Sequence, residues 1–129
     1  LEVNTAESRK GLAQNYSISQ WLAQQGYLAS FVAACGNGDM ALFKKCLRDE
    51  LIEPQRAAAV PCFEPVKASA LGADAIGCSL AGSGPSIFAL GADSDVPNIA
   101  DVMVRACRDM GYECEFWISP LDAPGARII

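Results

Sequence analysis

Chemical capacity in this sequence is concentrated in three places: Thr5 and Arg9, four positions apart; Arg56, close behind Pro54; and the turn Gly82-Ser83-Gly84-Pro85-Ser86. Thr5 and Arg9 at that separation project from neighbouring positions at the start of a helix and make a small polar, cationic patch. The alternative is a capping Thr beside a solvated Arg. Pro54 interrupts a helical pattern and is suited to open a new helix, which sets Gln55 and Arg56 near its start, beside the apolar Leu51 and Ile52. An arginine so held is positioned rather than mobile. In the turn, Gly82 and Gly84 permit positive φ and close backbone approach, while Pro85 fixes φ and removes a donor. A turn of this kind either points several amides at one phosphate or carboxylate, or is a hairpin whose glycines solve a steric problem.

Several chemistries are excluded. No Lys follows the glycines, so the turn is not a P-loop, and the spacing after Gly84 does not complete a dinucleotide fingerprint. The chain has no histidine, and its six cysteines form no CxxC pair. Acid–base and metal chemistry by this chain alone is therefore not expected, and the cysteines, including Cys35, Cys46 and Cys107 in helix-like stretches, are expected to be buried free thiols. A net charge of −5, with ten scattered basic residues, argues against a nucleic-acid surface. No apolar run approaches the roughly 20 residues of a membrane span, and there is no signal-peptide pattern at the N-terminus. A soluble, cytoplasmic protein is expected.

At 129 residues and 51% hydrophobic content, the chain supports one domain spanning 1–129. Leu1 to Asn4 alternates like the end of a strand and begins without Met, which reads as the continuation of a longer chain. Asn4 or Thr5 can cap a first helix, with Glu7 in its first turn. From Ser17 to Cys35, Ile18, Trp21, Leu22, Leu28, Ala29, Val32 and Cys35 recur at helical spacing and predict one buried stripe. Gly36-Asn37-Gly38 ends that helix, and Asp39 caps a shorter one burying Met40, Phe43 and Leu47, so the two form a helical hairpin. Trp21, Tyr27 and Phe31 read as core. Pro61 and Pro65 bracket a turn, and Val66, Ala70 and Leu71 mark a helix ending near Gly72. Ile76 to Leu80 and Ile87 to Leu90 are the strands on either side of the glycine turn. Pro97 opens a helix with Ile99, Val102, Met103, Ala106 and Met110 on one face, and Gly111 stops it. Tyr112 to Ile118 alternates like a further strand, and Pro124 to Ile129 could add a short edge. The element order predicts an α+β fold, a ferredoxin-like antiparallel sheet with its helices on one face.

Three separated stretches resemble one family in the same order. VNTAESR at Val3 to Arg9, IEPQR at Ile52 to Arg56 and GCSLAGSGPSIFAL at Gly77 to Leu90 are similar to segments of the homoserine kinases, a family within the GHMP group of small-molecule kinases, and the ending Asp122 to Arg127 resembles that family's closing segment. Ala81 stands where the family usually has Ser, and Ser8 where it usually has Ala. The resemblance implies the C-terminal, substrate-side half of a two-domain enzyme that phosphorylates the hydroxyl of homoserine with ATP and Mg²⁺ in threonine biosynthesis. It implies Arg9 and Arg56 as carboxylate binders, for which the guanidinium fork is suited. Thr5 becomes a polar contact near the substrate, and Gly82, Ser83, Gly84, Pro85 and Ser86 a brace for the phosphate loop of an N-terminal ATP-binding half. It further implies that this half carries neither a catalytic residue nor a metal ligand, binds no cofactor tightly and is inactive alone. A GHMP kinase for mevalonate-type or sugar substrates, and a ferredoxin-like amino-acid sensor, are the competing readings. An exposed sheet edge would permit a homodimer.

Overall fold

The computed structural model describes residues 1–122 and Gly125. Six helices and two strands run in the order α1 (Thr5–Lys10), α2 (Ile18–Asn37), α3 (Met40–Cys46), α4 (Glu53–Ala57), α5 (Phe63–Gly72), β1 (Gly77–Leu80), β2 (Ile87–Leu90) and α6 (Val96–Asp109) among these residues. The expected α+β class holds. The sheet is an antiparallel hairpin with Gly77 opposite Leu90 and Leu80 opposite Ile87, extended by the Ile76 amide donating to the Leu90 carbonyl at 2.7 Å.

The core forms where α5 and α6 pack together and α5 meets β1. One cluster joins Val60, Cys62, Phe63, Val66 and Leu80, and the other Ala70, Ala75, Cys78 and Ile99; Ile87 and Met103 touch both and fuse them. Phe63 is fully buried, and removing such a side chain from water contributes roughly 1.5–3 kcal/mol. On α6 the apolar face is sorted as its period requires within the helix, with Ile99 buried, Val102, Met103 and Ala106 half-buried, and Asp101, Arg105 and Arg108 exposed, but Met110, just past the helix end, is exposed.

Local signals explain the helix ends. Asn4, not Thr5, caps α1, accepting from the amides of Ala6 and Glu7 at 3.0 and 3.1 Å, which leaves the Thr5 hydroxyl free for other use. Ser17 and Gln20 form a reciprocal capping box at α2, Gly38 closes that helix at φ 65°, and Asp39 caps α3 through the Leu42 amide. Pro54 lies in the first turn of α4, as expected. Pro65 does not end a turn but lies within the first turn of α5, where its missing N–H would have had no helical partner.

Three expectations are corrected. The stripe on α2 is not buried: Ile18 is 80% exposed, Val32 62% and Trp21 55%, and Leu22, Leu28 and Cys35 are exposed as well. The hairpin instead joins through the neighbouring face, where Ala34 is buried and the rings of Phe31 and Phe43 lie 5.1 Å apart; Met40 is also exposed. Helical period marks a face that favours burial, and α3 is too short to cover two faces. Second, Leu1 to Asn4 and Tyr112 to Ile118 form no ladder. Val3 and Tyr112 pack onto the first core cluster, and the Tyr112 amide donates to the Cys107 carbonyl at 3.2 Å, so this segment is held against α6 rather than along the sheet. Alternation persists through Cys114 and then ends, with Phe116, Trp117 and Ile118 all exposed. A strand needs a partner edge to satisfy its backbone groups, and neither segment lies beside one among the described residues. Third, all six cysteines are free, as expected, but Cys35 is exposed; only Cys46, Cys62 and Cys78 are fully buried. The short edge expected at Pro124 to Ile129 lies outside the described residues apart from Gly125.

Candidate functional site

The glycine turn joins β1 to β2 and is closed on itself, the Ala81 amide donating to the Ser86 carbonyl at 2.8 Å and the Gly84 amide to the Ala81 carbonyl at 3.2 Å. Gly82 and Gly84 both have positive φ, 63° and 81°. Gly84 is doubly constrained, because a Cβ there would lie 2.9 Å from Cγ2 of the buried Val60. The turn is therefore seated on the core by Gly84 and open to solvent at Gly82, around which a Cβ would meet nothing within 4 Å.

Two sequence-distant elements reach this turn. The Thr5 hydroxyl shares a hydrogen bond with the Ser83 hydroxyl at 3.0 Å, across 78 residues of sequence. From the other side, Arg56 Nη1 donates to the Gly82 carbonyl at 2.7 Å. Arg56 is half-buried, and its Nε is fully buried with no hydrogen-bond partner among the described residues. It lines a cavity of about 130 Å³ with Asp49, Glu53, Ser79 and Gly82. An unpaired buried N–H costs about 1–3 kcal/mol, so the hydrogen bonding of this guanidinium is incomplete among the described residues.

The sequence around α4 explains how Arg56 is held. Asp49 accepts from the amides of Leu51 and Ile52 at 2.9 and 2.8 Å, and Leu51 is buried, which fixes the approach to the helix. Gln55 ties α4 to the chain following α1, accepting from the Ala13 amide at 2.7 Å while its amide group donates to the Tyr16 hydroxyl and the Leu51 carbonyl. Glu53, one turn before Arg56, pairs with Lys67 and accepts from the Ser79 hydroxyl. Thus α4 is fastened to α5, β1 and the segment after α1.

Thr5, Arg56, Gly82 and Ser83 accordingly meet in one region. Gly84 belongs to the turn as its core anchor, and Ser86 as the carbonyl that closes it. Arg9 lies on α1 one turn beyond Thr5, exposed and without a hydrogen bond or ion pair to its guanidinium among the described residues. Four members of the region escaped the sequence reading as individual residues: Glu53, Ser79, Lys67 and Asp49. Ser79 is visible only as the polar position in an otherwise apolar strand. Lys67 is 14 positions from its partner, so no local spacing announced it.

Comparisons with known proteins bear on the family and the fold. Residues 31–109 match the family model described as GHMP kinases C terminal. The chain is 37% identical over 128 residues to a homoserine kinase of Xylella fastidiosa, covering 98% of this chain and 40% of that protein, and 36% identical over 131 residues to a homoserine kinase of Chlorobium phaeovibrioides. The chain spans about 40% of the length of the curated relatives it matches. Among solved structures, a homoserine kinase from Cytophaga hutchinsonii superimposes with a TM-score of 0.83 at 36% identity, covering 85% of this chain and 35% of that one. With the family model matching most of its length and the fold following in three dimensions, this chain belongs to the GHMP kinase C-terminal family.

Proposed function

We propose that this chain is the C-terminal, substrate-side domain of a homoserine kinase, which transfers the γ-phosphoryl group of ATP to the homoserine hydroxyl when joined to an N-terminal ATP-binding half. The observation that carries the reading is the convergence of Thr5 and Arg56 on one glycine turn, through Ser83 and Gly82. Arg56 presents a partly desolvated guanidinium at the wall of a small polar cavity, and Arg9 a second one on the helix that carries Thr5. Together they take the two oxygens of an amino-acid carboxylate, and Thr5 contacts the substrate beside them. Neutralising and orienting the carboxylate supplies the positioning on which phosphoryl transfer chiefly depends.

The turn's own hydrogen bonds support a bracing role. Two of its amides are committed internally, so Gly82 to Ser86 steadies a phosphate loop contributed by the other half and offers only part of an anion cradle. ATP supplies the phosphoryl group. In this reading Mg²⁺ is held by the phosphates and the other half.

The test is reconstitution. The chain, fused to the N-terminal part of a homoserine kinase, is expected to phosphorylate homoserine in an ATP-dependent manner, and Arg56→Ala to lower kcat/KM roughly 100-fold, about 3 kcal/mol, chiefly through KM for homoserine. A fusion that ignores homoserine and phosphorylates a sugar or a mevalonate-type alcohol overturns the reading.

A further inference from the structure

A second cavity neighbours the site above, with the Lys67–Glu53 pair joining the linings of the two. It has a volume of about 230 Å³ and opens between the end of α3, α5 and the outer edge of β1. Its polar wall is entirely cationic: Lys44 and Arg48 from α3 and its end, and Lys67 from α5, over an apolar floor that includes Leu47, Leu71 and Ile76. In a chain of net charge −5, such a grouping is against the average. Lys44 and Arg48 have no acidic partner among the described residues, and the Arg48 guanidinium lies 6.0 Å from the centre of the Tyr27 ring, which limits its freedom. Lys67 is three-quarters buried as a side chain and is shared, since its ammonium pairs with Glu53.

We infer that this cavity is an anion site, taking a small phosphate-type dianion on a short aliphatic stem, and that its occupancy is felt at the neighbouring polar cavity through the Lys67–Glu53 pair. Two uncompensated cations match the double charge of a phosphate monoester or phosphonate, with Arg48 offering a planar fork and the lysines point charges. Leu47, Leu71 and Ile76 accommodate the stem. The coupling follows from connectivity. Lys67 lines this cavity, Glu53 lines the other, and Glu53, a turn before Arg56 on α4, also accepts from Ser79 of β1. An anion drawing on the Lys67 charge competes with Glu53 for it, and so shifts the group that ties α4 to β1. The inference goes beyond the kinase reading and does not rest on it.

Calorimetric titration of the chain with inorganic phosphate and with propylphosphonate at low ionic strength tests it. Saturable binding is expected for both, several-fold tighter for propylphosphonate because of its stem. The exposed pair K44Q/R48Q, which circular dichroism should find folded, is expected to lose at least tenfold in affinity, and Arg56→Ala to stay within twofold. Glu53→Gln should tighten binding several-fold, because it leaves the Lys67 charge to the ligand; a purely structural role for Glu53 predicts the opposite sign. In the unaltered chain the phosphonate should move the Ser79 amide resonance, and in Glu53→Gln that shift should vanish. Absence of saturable binding, loss of binding in Arg56→Ala rather than K44Q/R48Q, or weakened binding in Glu53→Gln would overturn the site; a Ser79 shift that persists in Glu53→Gln would overturn the coupling. Each readout is independent of kinase activity.

Discussion

The α5–β1–β2–α6 body and the α2–α3 hairpin are both built from segments with a clear apolar period, yet they treat it differently. In the body, Phe63, Val66, Ala70 and Ile99 are all 3% exposed or less. In the hairpin, the stripe through Ile18, Trp21 and Val32 faces outward, and only the adjoining face, at Ala34 and the Phe31–Phe43 pair, is packed. A period therefore states that a face is apolar; whether it is covered depends on whether another element of the chain has area to spare. The body is closed because α5 packs against both α6 and β1, while Ile99 and Met103 of α6 also reach the strands.

Substitutions at matched positions separate the two regions. The largest effect is expected in the body: Phe63→Ala should cost about 3–5 kcal/mol in denaturant unfolding, since it opens a cavity where both core clusters depend on α5. At the join between core and site, Gly84→Ala should cost on the order of 1–3 kcal/mol, because φ is 81° and the new methyl meets Val60; in the proposed fusion enzyme it should also lower activity by displacing Gly82 and Ser83. In the hairpin, Trp21→Lys should change stability by less than about 0.5 kcal/mol at low protein concentration. A loss of 2 kcal/mol or more that grows with concentration would show that the face is covered by association, and the contrast would then belong to the single chain only.

A pH effect sharpens the comparison further. Burial pushes the Cys78 thiol up from its ordinary 9.0 to about 11, with the Lys67 charge opposing and the Glu53 charge reinforcing the rise. Between those values the unfolded thiol has lost a proton that the folded one keeps. Its contribution to stability is thus full below about pH 9 and is lost as pH rises through about 11. Cys78→Ala should make that slope shallower, with the raised Cys107 and Cys114 thiols supplying the remainder, whereas Cys35→Ala, in the exposed hairpin, should leave it unchanged.

Much of the fold was legible because its signals are local. The cap at Asp39, the stop at Gly38, Pro54 and Pro97 in first turns, and the strands bracketing the glycine turn depend on neighbours in sequence and were read correctly. The outer strands were misread because alternation at Tyr112 to Ile118 describes a side-chain pattern and cannot supply a backbone partner. The candidate site shows the same division. Thr5, Arg56 and the glycines stood out by type and spacing, and their roles came only with the family resemblance. Ser79, Lys67 and Asp49 did not: Ser79 and Lys67 meet on Glu53, far from either in sequence, and Asp49 accepts from the amides of Leu51 and Ile52.

What this sequence determined unaided was its helix ends, its central hairpin, its positive-φ glycines and the identity of the charged groups, all of which follow from torsional preference and hydrogen bonding within a few residues. Only tertiary structure decided that Thr5 meets Ser83 across 78 positions, that Arg56 reaches the Gly82 carbonyl, and that Glu53 and Lys67 connect two cavities. Such contacts are set by how the packed core directs its elements, a property of the whole folded chain that no window of sequence contains.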